Sequence, residues 1–137
     1  MSDANKAVVR RFNQDVIERL DRAAFDAIMA PDFVNRTAPP GMPPGPESMW
    51  NTFANVLHPA LADLTVEIHE QVAERDLVTT RKTIRGTRHG DFLGAAPTGK
   101  LVEILVIDMV RVRGGQYAEH WGLNTLQQVV AQLKQGA

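Results

Sequence analysis

Residues 85–126 read RGTRHGDFLGAAPTGKLVEILVIDMVRVRGGQYAEHWGLNTL, and the second half of this stretch decides the fold. From 101 to 112 the even positions are Val102, Ile104, Val106, Asp108, Val110 and Val112. Side chains in a strand alternate with a period of two, so all six share one face. Asp108 is the only carboxylate among them. The odd positions, Leu101, Glu103, Leu105, Ile107, Met109 and Arg111, are also largely apolar. That pattern predicts a strand covered on both sides, by helices on one and by a second subunit on the other. An ionised carboxylate in an apolar layer is costly without a partner. Asp108 therefore needs a donor or a cation, with Arg81 and Arg85 available, or it takes up a proton near neutral pH. Either state suits acid/base chemistry, and a nonpolar hollow would raise its pKa and strengthen it as a base.

Working outward, Arg113-Gly114-Gly115-Gln116 reads as a hairpin turn, because two glycines supply the positive φ angles of a two-residue loop. Residues 116–121 then return antiparallel to the preceding strand. Their alternate faces are Gln116, Ala118 and His120 against Tyr117, Glu119 and Trp121. The turn register decides which set faces Asp108, and a one-residue slip exchanges them. His120 is the residue expected to share the pocket.

On the N-terminal side, Ser2 or Asp3 can cap a helix with Val8, Val9, Phe12, Val16, Ile17 and Leu20 at helical spacing. Asp21 can cap a second helix through Phe25, Ile28 and Met29, ending before Pro31. Residues 32–35 form a short extended segment. The proline-dense run 38–46 cannot be an interior helix or a central strand, and is read as a surface loop able to shape a cavity mouth. Pro46 and Glu47 start a third helix that continues to Leu57, before His58-Pro59. Strands are predicted at 64–72, 77–88, 101–113 and 116–121, with a last helix at 126–133. Helices first and long antiparallel strands afterwards imply an α+β fold, with helices packed on one face of a curved sheet around a hollow.

Composition narrows the function. A chain of 137 residues with 44% hydrophobic content suits a single domain, 1–137, with one sizeable core. Fifteen basic and sixteen acidic residues leave a net charge of −1, which offers no footprint for nucleic acid or an acidic membrane. The absence of cysteine excludes disulfides, thiol catalysis and thiolate metal sites. No histidine pair has the spacing of a metal site, so no metal is expected. The start MSDANKAVV lacks an apolar signal core, and no window approaches the roughly 20 apolar residues of a membrane span. Cytoplasmic residence and a small-molecule partner are the expectations.

The run Gly86-Thr-Arg-His-Gly-Asp-Phe-Leu-Gly-Ala-Ala-Pro-Thr-Gly-Lys100, followed by Gly115-Gln-Tyr-Ala-Glu-His-Trp121, resembles the SnoaL-like polyketide cyclase family. The likeness also takes in the opening helix, Pro31-Asp-Phe-Val34 and Leu61-Ala-Asp-Leu-Thr-Val66. It implies the nuclear-transport-factor-two-like α+β cone, with N-terminal helices over a curved antiparallel sheet. It further implies ring closure of an aromatic polyketide by intramolecular aldol condensation, with an acid/base aspartate and no cofactor. Family cyclases carry that aspartate just after the Glu-His-Trp motif. This chain instead continues Trp121-Gly122-Leu123-Asn124-Thr125.

Asp108 matches a second polar position of the family and is the remaining acid/base candidate, with His120 and His89 as further catalytic candidates. Asn124, Trp121, Trp50, Phe33, Phe53 and Arg81 are the candidate substrate-binding residues, the aromatics being core residues that can also line a hollow. The expected partners are a hydrophobic or polycyclic carbonyl compound and a second copy of the chain. Two other readings stay open: a catalytically silent binding module of the same fold, and an epoxide hydrolase or ketosteroid-isomerase-like enzyme.

Overall fold

The strand Leu101–Arg113 buries Val102, Ile104, Val106, Asp108, Val110 and Val112 and turns Leu101, Leu105 and Ile107 to the outside. The structure, a computed structural model, describes residues 2–88 and 100–135. Five strands form one sheet: β1 (Met29–Asn35), β2 (Leu61–Glu74), β3 (Leu77–Arg88), β4 (Leu101–Arg113) and β5 (Gln116–Asn124), in the order β1-β5-β4-β3-β2. Pairs β2/β3, β3/β4 and β4/β5 are antiparallel, while β1 runs parallel to β5. The fold is the expected α+β curved sheet with N-terminal helices packed against it.

Gly114 and Gly115 have φ of +57° and +77°, the geometry a tight β4–β5 hairpin needs. Between the pairs Arg111↔Glu119 and Val112↔Tyr117 the register shifts. The extra residue on β5 is a bulge, and it resets the alternation. Tyr117 thus faces inward and is buried, and His120 and Gly122 beyond the bulge also line the interior. The simple alternation read from the sequence had set Tyr117 and His120 on opposite faces.

Other boundaries also differ from the sequence reading. Met29 opens β1 instead of closing a helix, because Pro31 drives the residue before it to extended backbone and Met29 itself has ψ of 125°. Proline is tolerated there because β1 is an edge strand. The helix that starts at Pro46 does not stop before His58-Pro59. It runs through α3 (Pro46–Asn51) and wide π-type turns over Thr52–Leu57 into α4 (His58–Ala60). In the wide turn the His58 N–H bonds to the carbonyl of Phe53, so Pro59 enters where the regular ladder is already interrupted. β2 begins at Leu61 and β5 extends to Asn124, each longer than expected.

Helix α1 (Ser2–Arg11) also continues in π-type turns, over Phe12–Glu18, and buries Val9, Phe12, Asn13, Val16 and Ile17. Phe12 stacks on Tyr117 with ring centroids 4.4 Å apart and meets Phe25 and Phe53 at 6.4 and 5.9 Å. This aromatic cluster ties the helical layer to β5. Asp21 caps α2 (Arg22–Ile28) by accepting from the Ala24 N–H at 3.1 Å, as its position predicts. The last helix, α5 (Leu126–Gln135), is held to β4 by reciprocal bonds between Thr125 and Leu105, both 3.0 Å.

On the outer face of the sheet Leu101, Leu105, Ile107 and Leu123 are 64%, 57%, 53% and 78% exposed. Among the described residues, nothing covers these four side chains as the helical layer covers the inner face of β4. Among the described residues no helix is long and apolar enough to cross a membrane.

Gly86 sits where β3 passes Leu61. A Cβ at Gly86 would lie 2.7 Å from the Leu61 Cβ and 3.1 Å from the Ala62 carbonyl oxygen, too close for any rotamer to relieve. Gly86→Ala should therefore destabilise the fold by about 1–3 kcal/mol, read as a lower urea midpoint with an unchanged slope.

Candidate functional site

Strands β3, β4 and β5 and the helical layer enclose a cavity of about 190 Å³ on the inner face of the sheet. Most of its wall is apolar, with Phe12, Ile17, Met49, Phe53, Leu57, Ile84, Ile104 and Val106 among the lining residues. Four polar side chains on the wall, Lys82, Asp108, His120 and Asn35, form a connected chain. Asp108 on β4 receives a hydrogen bond at Oδ2 from Lys82 Nζ on β3, 3.0 Å away, and both side chains are buried. Lys82 Nζ also donates to Asn13 Oδ1 at 2.7 Å, while Asn13 Nδ2 donates to the Val9 carbonyl at 2.8 Å. His120 Nε2 stands 3.5 Å from Asp108 Oδ2, an ion-pair distance rather than a good hydrogen bond. The other ring nitrogen, Nδ1, lies 3.0 Å from Asn35 Oδ1 on β1.

The bonds around Asn35 assign the histidine tautomer. The backbone N–H of Thr37 donates to Asn35 Oδ1 at 3.2 Å, so that atom is the amide oxygen and can only accept. His120 Nδ1 must then carry a proton. Nε2 is left to gain or lose one beside the Asp108 carboxylate.

Backbone geometry makes room for this ring. A Cβ placed on Gly122 would lie 2.7 Å from His120 Cε1 and 3.2 Å from Nε2. Glycine at 122 thus leaves room for the imidazole to pass over it and reach toward Asp108, the cross-strand partner of Gly122.

Burial pushes the Asp108 carboxyl up, but the Lys82 ammonium and the His120 imidazole together overcome that and hold it at about 2. This corrects the expectation of a raised pKa. The cation responsible is Lys82, not Arg81 or Arg85, since those two pair on the outer face with Glu70 and with Glu67 and Glu103. Burial pushes the Tyr117 phenol well above its ordinary value and the nearby Asp108 charge adds to it. Tyr117 therefore remains a protonated residue of the cavity wall.

Of the residues singled out in the sequence, the structure brings Asp108, His120, Phe53 and Asn124 to the cavity. Phe33 is buried in the core and does not line it. Trp50 packs against Phe25 and lies under the Arg22 guanidinium, 5.1 Å from each. Trp121 points away from the cavity, with the Arg111 guanidinium 5.9 Å from its ring, because the odd positions of β5 beyond the bulge face outward. Arg81 is on the outer face. These three placements separate Trp50, Trp121 and Arg81 from the proposed substrate contacts. His89 lies outside the described residues. Lys82, Asn13, Asn35 and Tyr117 were missed. Among the described residues no three His, Asp or Glu side chains converge as a metal-ligand set.

The model of the family described as SnoaL-like polyketide cyclase matches residues 7–133, and the chain belongs to that family. The proposed polyketide cyclase IdmH of Streptomyces antibioticus is 30% identical, with a TM-score of 0.78 over 94% of this chain and 97% of IdmH. AclR of Streptomyces galilaeus, a proposed hydroxylase, is 24% identical with a TM-score of 0.84 over 98% of this chain and 83% of AclR. A proposed polyketide cyclase from Acidithiobacillus ferrooxidans is 22% identical with a TM-score of 0.83, covering 100% of this chain and 99% of that one. No curated protein matched the sequence.

Because the folded carboxyl of Asp108 titrates near 2 and an unfolded one near 3.9, the folded state binds fewer protons between these values. The stabilisation is complete above about pH 4 and is lost as pH falls toward 2. Acid-unfolding curves should show the native chain losing on the order of 2 kcal/mol more than Asp108→Asn across that window. Parallel curves for the two proteins would show that Asp108 is not held ionised.

Proposed function

We propose that this SnoaL-like family member closes a ring in a hydrophobic carbonyl compound by cofactor-independent aldol chemistry, with His120 as the proton carrier. The observation that carries the reading is the Lys82–Asp108–His120–Asn35 chain on the wall of an otherwise apolar cavity. The 30% identity to IdmH, a proposed polyketide cyclase, supports the reaction class.

A carboxylate held at about 2 is too weak a base to remove a proton next to a carbonyl near neutral pH. Neutral His120, protonated on Nδ1, has its lone pair on Nε2 and fits that task. As Nε2 takes the proton the ring becomes an imidazolium, and the Asp108 carboxylate stabilises the new charge. Asp108 thus acts as an electrostatic partner to a histidine base, as acidic residues do in hydrolytic triads. The C–H electron pair becomes an enolate, which attacks a second carbonyl of the same molecule and forms the C–C bond. The resulting alkoxide regains the proton from His120, so acid and base are one group. Apolar walls exclude water and strengthen each of these charge interactions. A cavity of about 190 Å³ is near the size that accepts a single benzene-like ring, so one ring enters and the rest of a polycycle extends through the mouth lined by Thr37, Pro39 and Asn124.

A second reading has a specific observation behind it. No carboxylate stands between Trp121 and Thr125, which suits a silent binding module. Turnover separates the two readings. With an aromatic polyketide methyl ester that carries a ketone side chain, His120→Gln should lower the ring-closure rate by about 10²–10⁴, and the native pH profile should lack an inflection near the ordinary carboxylate value of about 4. Binding without turnover would favour the silent module. Full turnover in His120→Gln would remove His120 as the base.

The exposed outer face is assigned to a second copy of the chain. Leu101, Leu105, Ile107 and Leu123 form its apolar part, and the ion pairs Arg81–Glu70 and Arg85–Glu103 border it with both signs of charge. Such a self-complementary patch closes through a two-fold axis. Light scattering should give the dimer mass at micromolar concentration, and Ile107→Glu should give the monomer mass. A native monomer would contradict this assignment.

A further inference from the structure

The ammonium of Lys82 has three N–H donors, and two are used, by Asp108 Oδ2 and Asn13 Oδ1. The third has no partner among the described residues. On the other side of the same ion pair, Asp108 Oδ1 is buried and also has no hydrogen-bond partner among the described residues. Both residues line the cavity, and they sit on neighbouring strands, with Lys82 opposite Val106 and Asp108 opposite Thr80. A buried carboxylate oxygen without a partner costs free energy until a donor reaches it.

We propose that Lys82 and Asp108 together form a substrate subsite for a carbonyl oxygen and a hydroxyl group carried close to each other, as in a β-hydroxyketone. The free Lys82 N–H donates to the carbonyl oxygen, and Asp108 Oδ1 accepts from the hydroxyl. This deepens the proposed function and rests on it only for the identity of the cavity. Lys82 acquires a catalytic role beyond holding Asp108 ionised, because a charged donor on the carbonyl oxygen binds the developing oxyanion more tightly than the ketone. Recognition by a matched donor and acceptor also discriminates. A ketone that lacks the hydroxyl leaves Oδ1 buried and unpaired, so the site rejects it more strongly than an apolar pocket could. Lys82 stays bonded to Asp108 and Asn13 throughout, which holds its nitrogen as an ammonium donor and not as a nucleophile.

Two one-ring probes of the right size test this on the native protein by calorimetry. They are 4-hydroxy-4-phenylbutan-2-one and 4-phenylbutan-2-one, which differ only in the hydroxyl. The hydroxyketone should bind about tenfold tighter or more, and Asp108→Ala, checked for native circular dichroism, should reduce the difference to within about threefold. Equal affinities in the native protein, no binding of the hydroxyketone at millimolar concentration, or a preference that survives in Asp108→Ala would overturn the proposal. So would a mass increase on Lys82 after borohydride treatment with either ketone, because the amine would then be forming an imine. These are binding readouts, so a loss of hydroxyl preference refutes the subsite while ring closure, measured separately, decides the catalytic reading.

Discussion

The ion pair between Lys82 and Asp108 is the interaction on which the rest of the site depends. Two opposite charges, buried to 4% and 7% side-chain exposure, face each other across adjacent strands under an apolar layer. Desolvating such a pair costs several kcal/mol per ion, and apolar residues of similar volume hold a sheet together as well or better. The pair is therefore poorly explained as a device for stability alone. Its physical effect is to fix a permanent carboxylate in a hydrophobic cavity, beside a histidine whose other nitrogen is tied to Asn35. Removing the ammonium would leave that carboxylate without its balancing charge, and its pKa would move upward toward protonation.

The helical layer supports this arrangement through one side chain. Asn13 lies in the π-type turns after α1, with its amide nitrogen on the Val9 carbonyl and its amide oxygen on Lys82. Single π-type turns commonly interrupt helices at functional positions, and here the wide turns accompany a polar side chain on a stripe otherwise made of Val9, Phe12, Val16 and Ile17. The aromatic stack of Phe12 on Tyr117 holds the same segment against β5. Thus the helix, the sheet and the charge chain fix one another.

Much of the fold was legible because β4 writes its two faces into a strict alternation, and because two glycines announce the turn that follows. β3 and β4 were located to the residue, and Asp108 stood out as the single carboxylate of an apolar set. Lys82 was not recognised because β3 is polar on both faces, so its inward set of Val78, Thr80, Lys82 and Ile84 carries no comparable contrast. A reading of that strand from Val78 and Ile84 by steps of two would have placed Lys82 inside. Asn13 had a similar signal, four residues from Val9 on the buried stripe. The bulge in β5 had none, since an extra residue in a ladder is decided by pairing with β4. It moved Tyr117 inward and sent Trp121 out beneath Arg111. Trp50 was captured by Phe25 and Arg22 for the same reason that aromatic residues usually fill cores.

In the proposed reaction His120 keeps its Nδ1 proton on Asn35 and exchanges the proton at Nε2 beside the charged Asp108 carboxylate. Nitrogen-15 NMR of the imidazole rings across a pH titration tests it most directly. His120 Nδ1 should stay protonated in both forms, with the proton exchanged at Nε2. A neutral His120 that carries its proton on Nε2, with Nδ1 titrating, would contradict it.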